Sequence, residues 1–215
     1  MKKQFRTMLT VLPLAYLAGC GNTADVVRAG RLLLSAVDGM NEKIPLETAA
    51  AVPFASMGLE LGSSPQVMLV LGTSTSDELG WFVGRQLFVA TRQGRVVRTA
   101  GLPYDLGGYR RLTANQPGVS AISYTVDFPD LGAYGAAVLC TQTDRGDDTV
   151  SILGTGIPTR HIIEHCSAPS LRWTFDNEYW EDRTTRYIWR SRQYVHPKSA
   201  AIVLEVFRPE EPPPG

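Results

Sequence analysis

From residue 51 to the end of the chain, hydrophobic positions recur with a period of two. That is the spacing of strands that bury one face, because successive side chains point to opposite sides. Residues 57–61, 66–71, 79–83 and 86–92 read as strands, and Arg92-Gln93-Gly94-Arg95 as a hairpin turn into a strand over 95–100. The cleanest alternation lies in 119–128, with Ile122, Tyr124, Val126 and Phe128 on one face and Ser123, Thr125 and Asp127 on the other. Strands over 134–142 and 149–153 flank the turn-rich Asp144-Arg145-Gly146-Asp147-Asp148, and a strand over 159–166 follows. Strands over 171–180 and 187–194 flank Glu181-Asp182-Arg183-Thr184, and 201–207 closes the series. About ten to twelve strands at this spacing predict an all-β fold, an antiparallel β-barrel or sandwich-like single domain.

Ahead of residue 51 the pattern differs. Between Thr23 and Met40, Val26, Val27, Leu33, Leu34 and Val37 approximate a helical stripe, with Thr23 or Asp25 as cap, so a short N-terminal helix precedes the β domain. Further upstream, Lys2, Lys3 and Arg6 form a cationic head, residues 7–16 are apolar, and Leu17-Ala18-Gly19-Cys20 follows. This is the three-part layout of a secretory signal, and its apolar segment is too short to span a bilayer. Leu-Ala-Gly-Cys resembles the lipobox of bacterial lipoproteins. The resemblance implies cleavage after Gly19, a diacylglycerol thioether on Cys20, and acylation of the new amine, commonly with palmitate. Two or three acyl chains hold a protein durably where one holds it marginally. Gly21 stands where an Asp would signal retention at the inner membrane, which implies an outer-membrane anchor facing the periplasm. The chain therefore divides into a signal peptide (1–19), an anchor, linker and helix (20–50), a β domain (51–208) and a Pro-rich loose tail (209–215).

Composition narrows the function classes. Formal charge is zero, with 21 basic and 21 acidic residues, and cleavage after Gly19 would leave the mature chain at about −3. No nucleic-acid partner is expected from that balance. Apart from Lys43 and Lys198, every cation of the mature chain is an arginine, whose planar fork suits carboxylates, phosphates and aromatic faces. Cys140 and Cys166 are the cysteines left after Cys20. In an oxidising compartment an even pair reads as a disulfide, with two buried free thiols as the alternative.

Catalytic signatures are weak. His161-Ile162-Ile163-Glu164-His165 matches the HxxEH pattern of inverted zinc proteases, which needs a helix. Two β-branched residues and the preceding Gly156-Ile157-Pro158 favour a strand, on which residues 161 and 165 lie roughly 13 Å apart, too far to share one zinc ion. No GxSxG, phosphate-binding loop or dinucleotide fingerprint occurs. Carboxylate pairs such as Glu181/Asp182 and Asp127/Asp130 read as turn decoration before they read as a glycosidase pair. No catalytic residue, metal ligand or cofactor is assigned, and the chain is not read as an enzyme.

The densest polar-aromatic cluster runs from Trp173 to Tyr194, where Tyr179, Trp180, Tyr187 and Trp189 interleave with Arg183, Arg186, Arg190 and Arg192. Aromatic faces stack on sugars, and arginine forks hold acidic sugar carboxylates. Alternation puts Trp173, Phe175 and Trp189 in the core. Tyr179, Trp180, Arg190 and Arg192 are the candidate glycan- or partner-binding residues, with the Arg190 head exposed and the Trp180 indole able to turn inward.

The same segment carries a family resemblance. Phe175-Asp176-Asn177-Glu178-Tyr179-Trp180, Ile188-Trp189-Arg190-Ser191-Arg192-Gln193 and Glu205-Val206-Phe207-Arg208-Pro209 resemble the YjbF/GfcB group of exopolysaccharide and group 4 capsule lipoproteins. Residues 66–71, Trp81, and residues 91–97 running into Gly101-Leu102-Pro103 are similar too, although Gln93-Gly94 replaces the group's usual asparagine-rich turn. The resemblance implies an all-β, barrel-like lipoprotein encoded with polysaccharide secretion genes. It also implies partners: an outer-membrane export channel and small periplasmic proteins. The expected function is assistance in assembly or export of an extracellular or capsular polysaccharide, by binding the glycan or the secretion partners. A periplasmic glycan-modifying enzyme, or a purely structural envelope lipoprotein, is the alternative.

Overall fold

The computed structural model describes residues 42–112 and 121–210. The expected helix between Thr23 and Met40, the lipidation site Cys20 and residues 211–215 of the tail lie outside the described residues.

Among the described residues, twelve antiparallel strands form one sheet. The first five are β1 (Ser56–Leu61), β2 (Val67–Ser74), β3 (Leu79–Val83), β4 (Leu87–Arg92) and β5 (Arg95–Ala100). The other seven are β6 (Gly108–Arg111), β7 (Ala121–Phe128), β8 (Ala133–Ile152), β9 (Thr155–Ala168), β10 (Trp173–Glu181), β11 (Ile188–Gln193) and β12 (Ile202–Arg208). A short helix, α1 (Leu46–Ala50), precedes β1, starting directly after Pro45, whose fixed backbone suits a helix start. Their order is β5-β4-β3-β2-β1-β12-β11-β10-β9-β8-β7-β6, so two meanders are joined by pairing of the first strand with the last.

The two ends of the sheet, β5 and β6, are consecutive in sequence and curl towards each other. Thr99 donates its N–H to the Leu106 carbonyl at 2.9 Å, and the Leu106 N–H donates to Thr99 Oγ1 at 2.8 Å. Farther along β5, the Gln193 side-chain amide takes the place of a strand: Val96 N–H donates to its Oε1 at 3.0 Å, and its Nε2 donates to the Gly94 carbonyl at 2.9 Å. The sheet is a nearly closed barrel, and buried edge groups that would otherwise cost free energy are paired.

Local chemistry explains the turns. Gln93 and Gly94 both have positive φ between paired Arg92 and Arg95, the two-residue hairpin geometry that follows the strand twist. Leu153 and Gly154 repeat it between β8 and β9. The turn expected at Asp144-Arg145-Gly146-Asp147-Asp148 is a bulge instead. β8 runs unbroken through it, Gly146 takes φ +94°, and the register shifts between Asp144 and Gly146. One inserted residue breaks the period of two just as a turn does. β6, Gly-Tyr-Arg-Arg, was not expected, since it has no alternating apolar face.

The inner face is apolar at one end. Phe128 packs edge-on against Trp173, which stacks on Phe175, and His196 lies edge-on to Phe128 while contacting Asp130 at 3.0 Å. Cys140 and Cys166, paired positions on β8 and β9, are joined by a disulfide. The outer face of β9 to β11 carries His161, His165, Asp176, Glu178, Arg190 and Arg192 as cross-strand pairs. That polarity is opposite to a membrane-spanning barrel, which needs an apolar outer band.

Candidate functional site

Strand parity decides where each candidate residue lies. On β10 the odd positions Phe175, Asn177, Tyr179 and Glu181 are buried, and the even positions Glu178 and Trp180 face out. On β11 Ser191 and Gln193 face in, and Arg190 and Arg192 face out. Trp180, Arg190 and Arg192 therefore share the outer surface, while Tyr179, at 2% exposed, lies inside the barrel and not beside them. Tyr179 is therefore the candidate that leaves the expected surface, while Trp180, whose indole could have turned inward, faces out.

On the outer face, Trp180 pairs in register with His161 on β9 and Arg190 on β11. The His161 ring stacks on the indole at 4.5 Å, and the Arg190 guanidinium sits 5.1 Å from its centroid. The indole N–H donates to Asp148 Oδ2 at 2.8 Å, and this bond leads in holding the Asp148 carboxyl below its usual range. Glu178 joins His161 (3.0 Å) to Arg192 (3.4 Å), and Arg192 donates to Tyr194 Oη at 3.0 Å. The indole is thus flanked by its own sheet neighbours in a cross-strand ladder, in which Arg190 Nε lies 3.5 Å from Glu205 without a hydrogen bond.

The HxxEH residues separate as a strand requires. His161 and His165 face out, bonded to Glu178 and Asp176, while Glu164 is fully buried inside. Glu164 grips Arg95 with both oxygens, one at 2.6 Å, and accepts from Gln142 Nε2 at 2.7 Å. Arg95 also donates to Tyr179 Oη at 3.0 Å. Burial pushes the Tyr179 phenol well above its usual value, against the pull of Arg95, so it stays a neutral hydrogen-bonding group. Glu164 with the disulfide sulfurs forms a close group of metal-ligand types, but both sulfurs are bonded to each other.

This network floors a cavity of about 800 Å³ at the other end of the barrel. Met57, Trp81, Thr91, Leu204 and Val206 supply buried wall, and Tyr187 and Trp189 meet edge-to-face at 5.0 Å on its lining. Four arginines, Arg95, Arg111, Arg160 and Arg186, line it beside the outward-facing Arg190, and among the described residues Glu181 is the single carboxylate on its lining. Arg160 Nε (3.0 Å) and Arg186 Nη1 (3.1 Å) both reach Glu181 Oε1. Burial raises the Glu181 carboxyl above its usual range, overcoming the opposite pull of Arg160. The cavity reaches solvent at Arg186, whose side chain is 58% exposed.

Of the carboxylates weighed as pairs, Glu181 lines the cavity and the other three serve elsewhere. Asp182 accepts from the Thr184 and Thr185 N–H groups and shapes the β10–β11 turn, Asp127 accepts from Gly135 N–H, and Asp130 contacts His196. Arg183 pairs with exposed Asp147 on the outside. Arg95, Arg160, Glu181 and Trp189 were not read as site residues from sequence. The available signal was parity, since Glu181 is in step with Phe175, and Trp189 with Gln193.

The structure defines a class of antiparallel β-barrels with an arginine-lined mouth and a polar outer face on β9 to β11. Residues 34–207 match the family described as "Group 4 capsule polysaccharide lipoprotein gfcB, YjbF", and the chain belongs to that family. Two relatives come from Escherichia coli (strain K12). "Uncharacterized lipoprotein YjbF" is 25% identical over 157 residues, covering 67% of this chain and 70% of the relative. "Uncharacterized lipoprotein GfcB" is 19% identical over 211 residues, covering 90% and 94%. The crystal structure of the hypothetical lipoprotein YmcC, also from Escherichia coli (K12), shares the fold with a TM-score of 0.62 at 18% identity, covering 89% of this chain and 98% of that one.

Proposed function

We propose that this chain is an outer-membrane lipoprotein, anchored through Cys20 on the periplasmic face, that assists assembly or export of an extracellular polysaccharide by holding the glycan in the barrel mouth. The observation that carries this reading is the cavity of about 800 Å³, within the usual volume of ligand sites, with aromatic wall and converging guanidinium groups. The family description supplies the polysaccharide context. A polar outer face suits a barrel held at the membrane by acyl chains and not by its strands.

Two experiments test it. Purified protein is incubated with the polysaccharide its own cell secretes: retention at unchanged chain length is expected, shortened chains would make it an enzyme, and no retention would remove the binding role. Intact-mass analysis of membrane-extracted protein should show Cys20 as the first residue with acyl mass added, and Cys20→Ser should abolish both. An unlipidated wild-type protein would overturn the anchor.

A further inference from the structure

Glu181 is the sole carboxylate among the described residues of the cavity lining, and one of its oxygens receives two guanidinium groups from different parts of the fold, Arg160 on β9 and Arg186 in the β10–β11 loop. Arg160 gives both Nε and Nη2 to that oxygen and Arg186 gives Nη1, so three donors crowd onto one oxygen, whereas a guanidinium fork is built to hold a carboxylate through both of its oxygens. Arg160 also reaches Asp144, half-exposed at the rim, at a longer 3.3 Å. Arg95 differs, because Glu164 holds it with both oxygens and its role is to form the floor. Beside the Arg160–Glu181–Arg186 junction, Tyr187 and Trp189 present aromatic surface to the same space. Aromatic wall next to a paired-arginine carboxylate site is the chemistry that recognises a sugar ring bearing an acid.

We propose that the cavity is selective for acidic saccharides: the carboxylate of a uronic-acid type residue takes the place of Glu181 between Arg160 and Arg186, and its ring lies against Trp189. This rests on the glycan-binding reading above and adds the ligand's charge and the residues that read it. Glu181 then acts as an internal competitor, occupying the guanidiniums until a ligand carboxylate displaces it.

The test uses the full lipidated protein and three probes: tetra-galacturonate, its fully methyl-esterified form, and the polysaccharide secreted by the parent cell. Binding is read by calorimetry, with a thermal melt on every variant. Tetra-galacturonate should bind and its methyl ester should not. Arg186→Ala should weaken the acid roughly tenfold, the loss of one charge-assisted pair. Glu181→Gln, which removes the competitor, should tighten it by a similar factor, a gain that a structural role for Glu181 does not produce. Arg183→Ala, which removes an exposed arginine paired with Asp147 on the outer side, should leave affinity unchanged. Equal binding of acid and ester, or weaker binding by a normally melting Glu181→Gln protein, would overturn the proposal. If the secreted polysaccharide binds while tetra-galacturonate does not, this inference fails and the glycan-binding reading stands. If neither binds, both fail.

Discussion

Trp180 lies against His161 with ring centroids 4.5 Å apart and planes 4° from parallel, and Arg190, from the strand on the other side, holds its guanidinium 5.1 Å from the indole centroid. A sugar-stacking tryptophan needs a free face, and this one is already engaged by a stacked ring and a guanidinium. Trp180→Ala is therefore expected to cost about 1 kcal/mol from the lost stack. For a protein of this length that is a melting shift of roughly 2 to 4 °C. Polysaccharide retention should be unchanged. Melting and retention measured on the same preparation check this, and lost retention at normal melting would return the site to the outer face.

Asp148 reports the same ladder by titration. Its carboxyl is held low chiefly by the Trp180 indole N–H and then by the Thr149 backbone N–H. A depressed carboxyl contributes stability above the unfolded carboxylate range and loses it as pH falls through the folded value. Trp180→Phe keeps a ring but removes the donor, so the Asp148 pKa should rise towards its ordinary value. Carboxyl-detected NMR titration reads that shift, and an unmoved pKa would contradict the assigned bond.

The cavity floor predicts an asymmetric pair of mutants. Glu164→Ala leaves the Arg95 guanidinium buried without its carboxylate, which costs about 3 to 5 kcal/mol. Melting should fall by roughly 6 to 20 °C at ~2 to 4 °C per kcal/mol. Replacing Arg95 and Glu164 together with apolar residues of matching volume should recover much of that loss. Thermal unfolding of the single and double variants checks it, and a Glu164→Ala protein that melts normally would remove the network from the fold's account.

Strand parity was legible wherever alternation was clean, as at Ile122, Tyr124, Val126 and Phe128, all buried as expected. The disulfide candidate was legible from compartment and count, and its partners prove to be directly opposed in register. Gly146 was misread because a bulge and a turn leave the same break in the pattern. β6 left no signal, since its pairing with β7 and not its composition makes it a strand. The cavity was illegible for a different reason. Arg95, Arg160 and Glu181 come from three strands, and charged residues pointing into a barrel contradict the pattern by which strands are read. Tyr179 was misplaced because a segment aromatic on both faces gives no internal clue to which face is the core.

Reduction tests the covalent link between β8 and β9. Cys140 and Cys166 are 26 residues apart, and in the chain-entropy model closing such a loop is worth about 3 to 4 kcal/mol. Under a reducing agent the melting temperature should drop by roughly 6 to 16 °C at ~2 to 4 °C per kcal/mol. Labelling of denatured, unreduced protein should find neither cysteine free. Quantitative labelling of both would contradict the bond.

The claim that the barrel mouth is where this lipoprotein handles polysaccharide is tested most directly in the cell, with Arg160→Ala and Arg186→Ala introduced together. Secreted polysaccharide and the melting temperature of the purified variant are measured side by side. The account predicts a large fall in secreted polysaccharide from a protein that remains folded, its melting lowered because Arg160 is largely buried and its loss leaves Glu181 without a partner. Arg186→Ala alone, at an exposed residue, should lower secretion with melting nearly unchanged. Unchanged secretion from cells whose cavity has lost both arginines would contradict it.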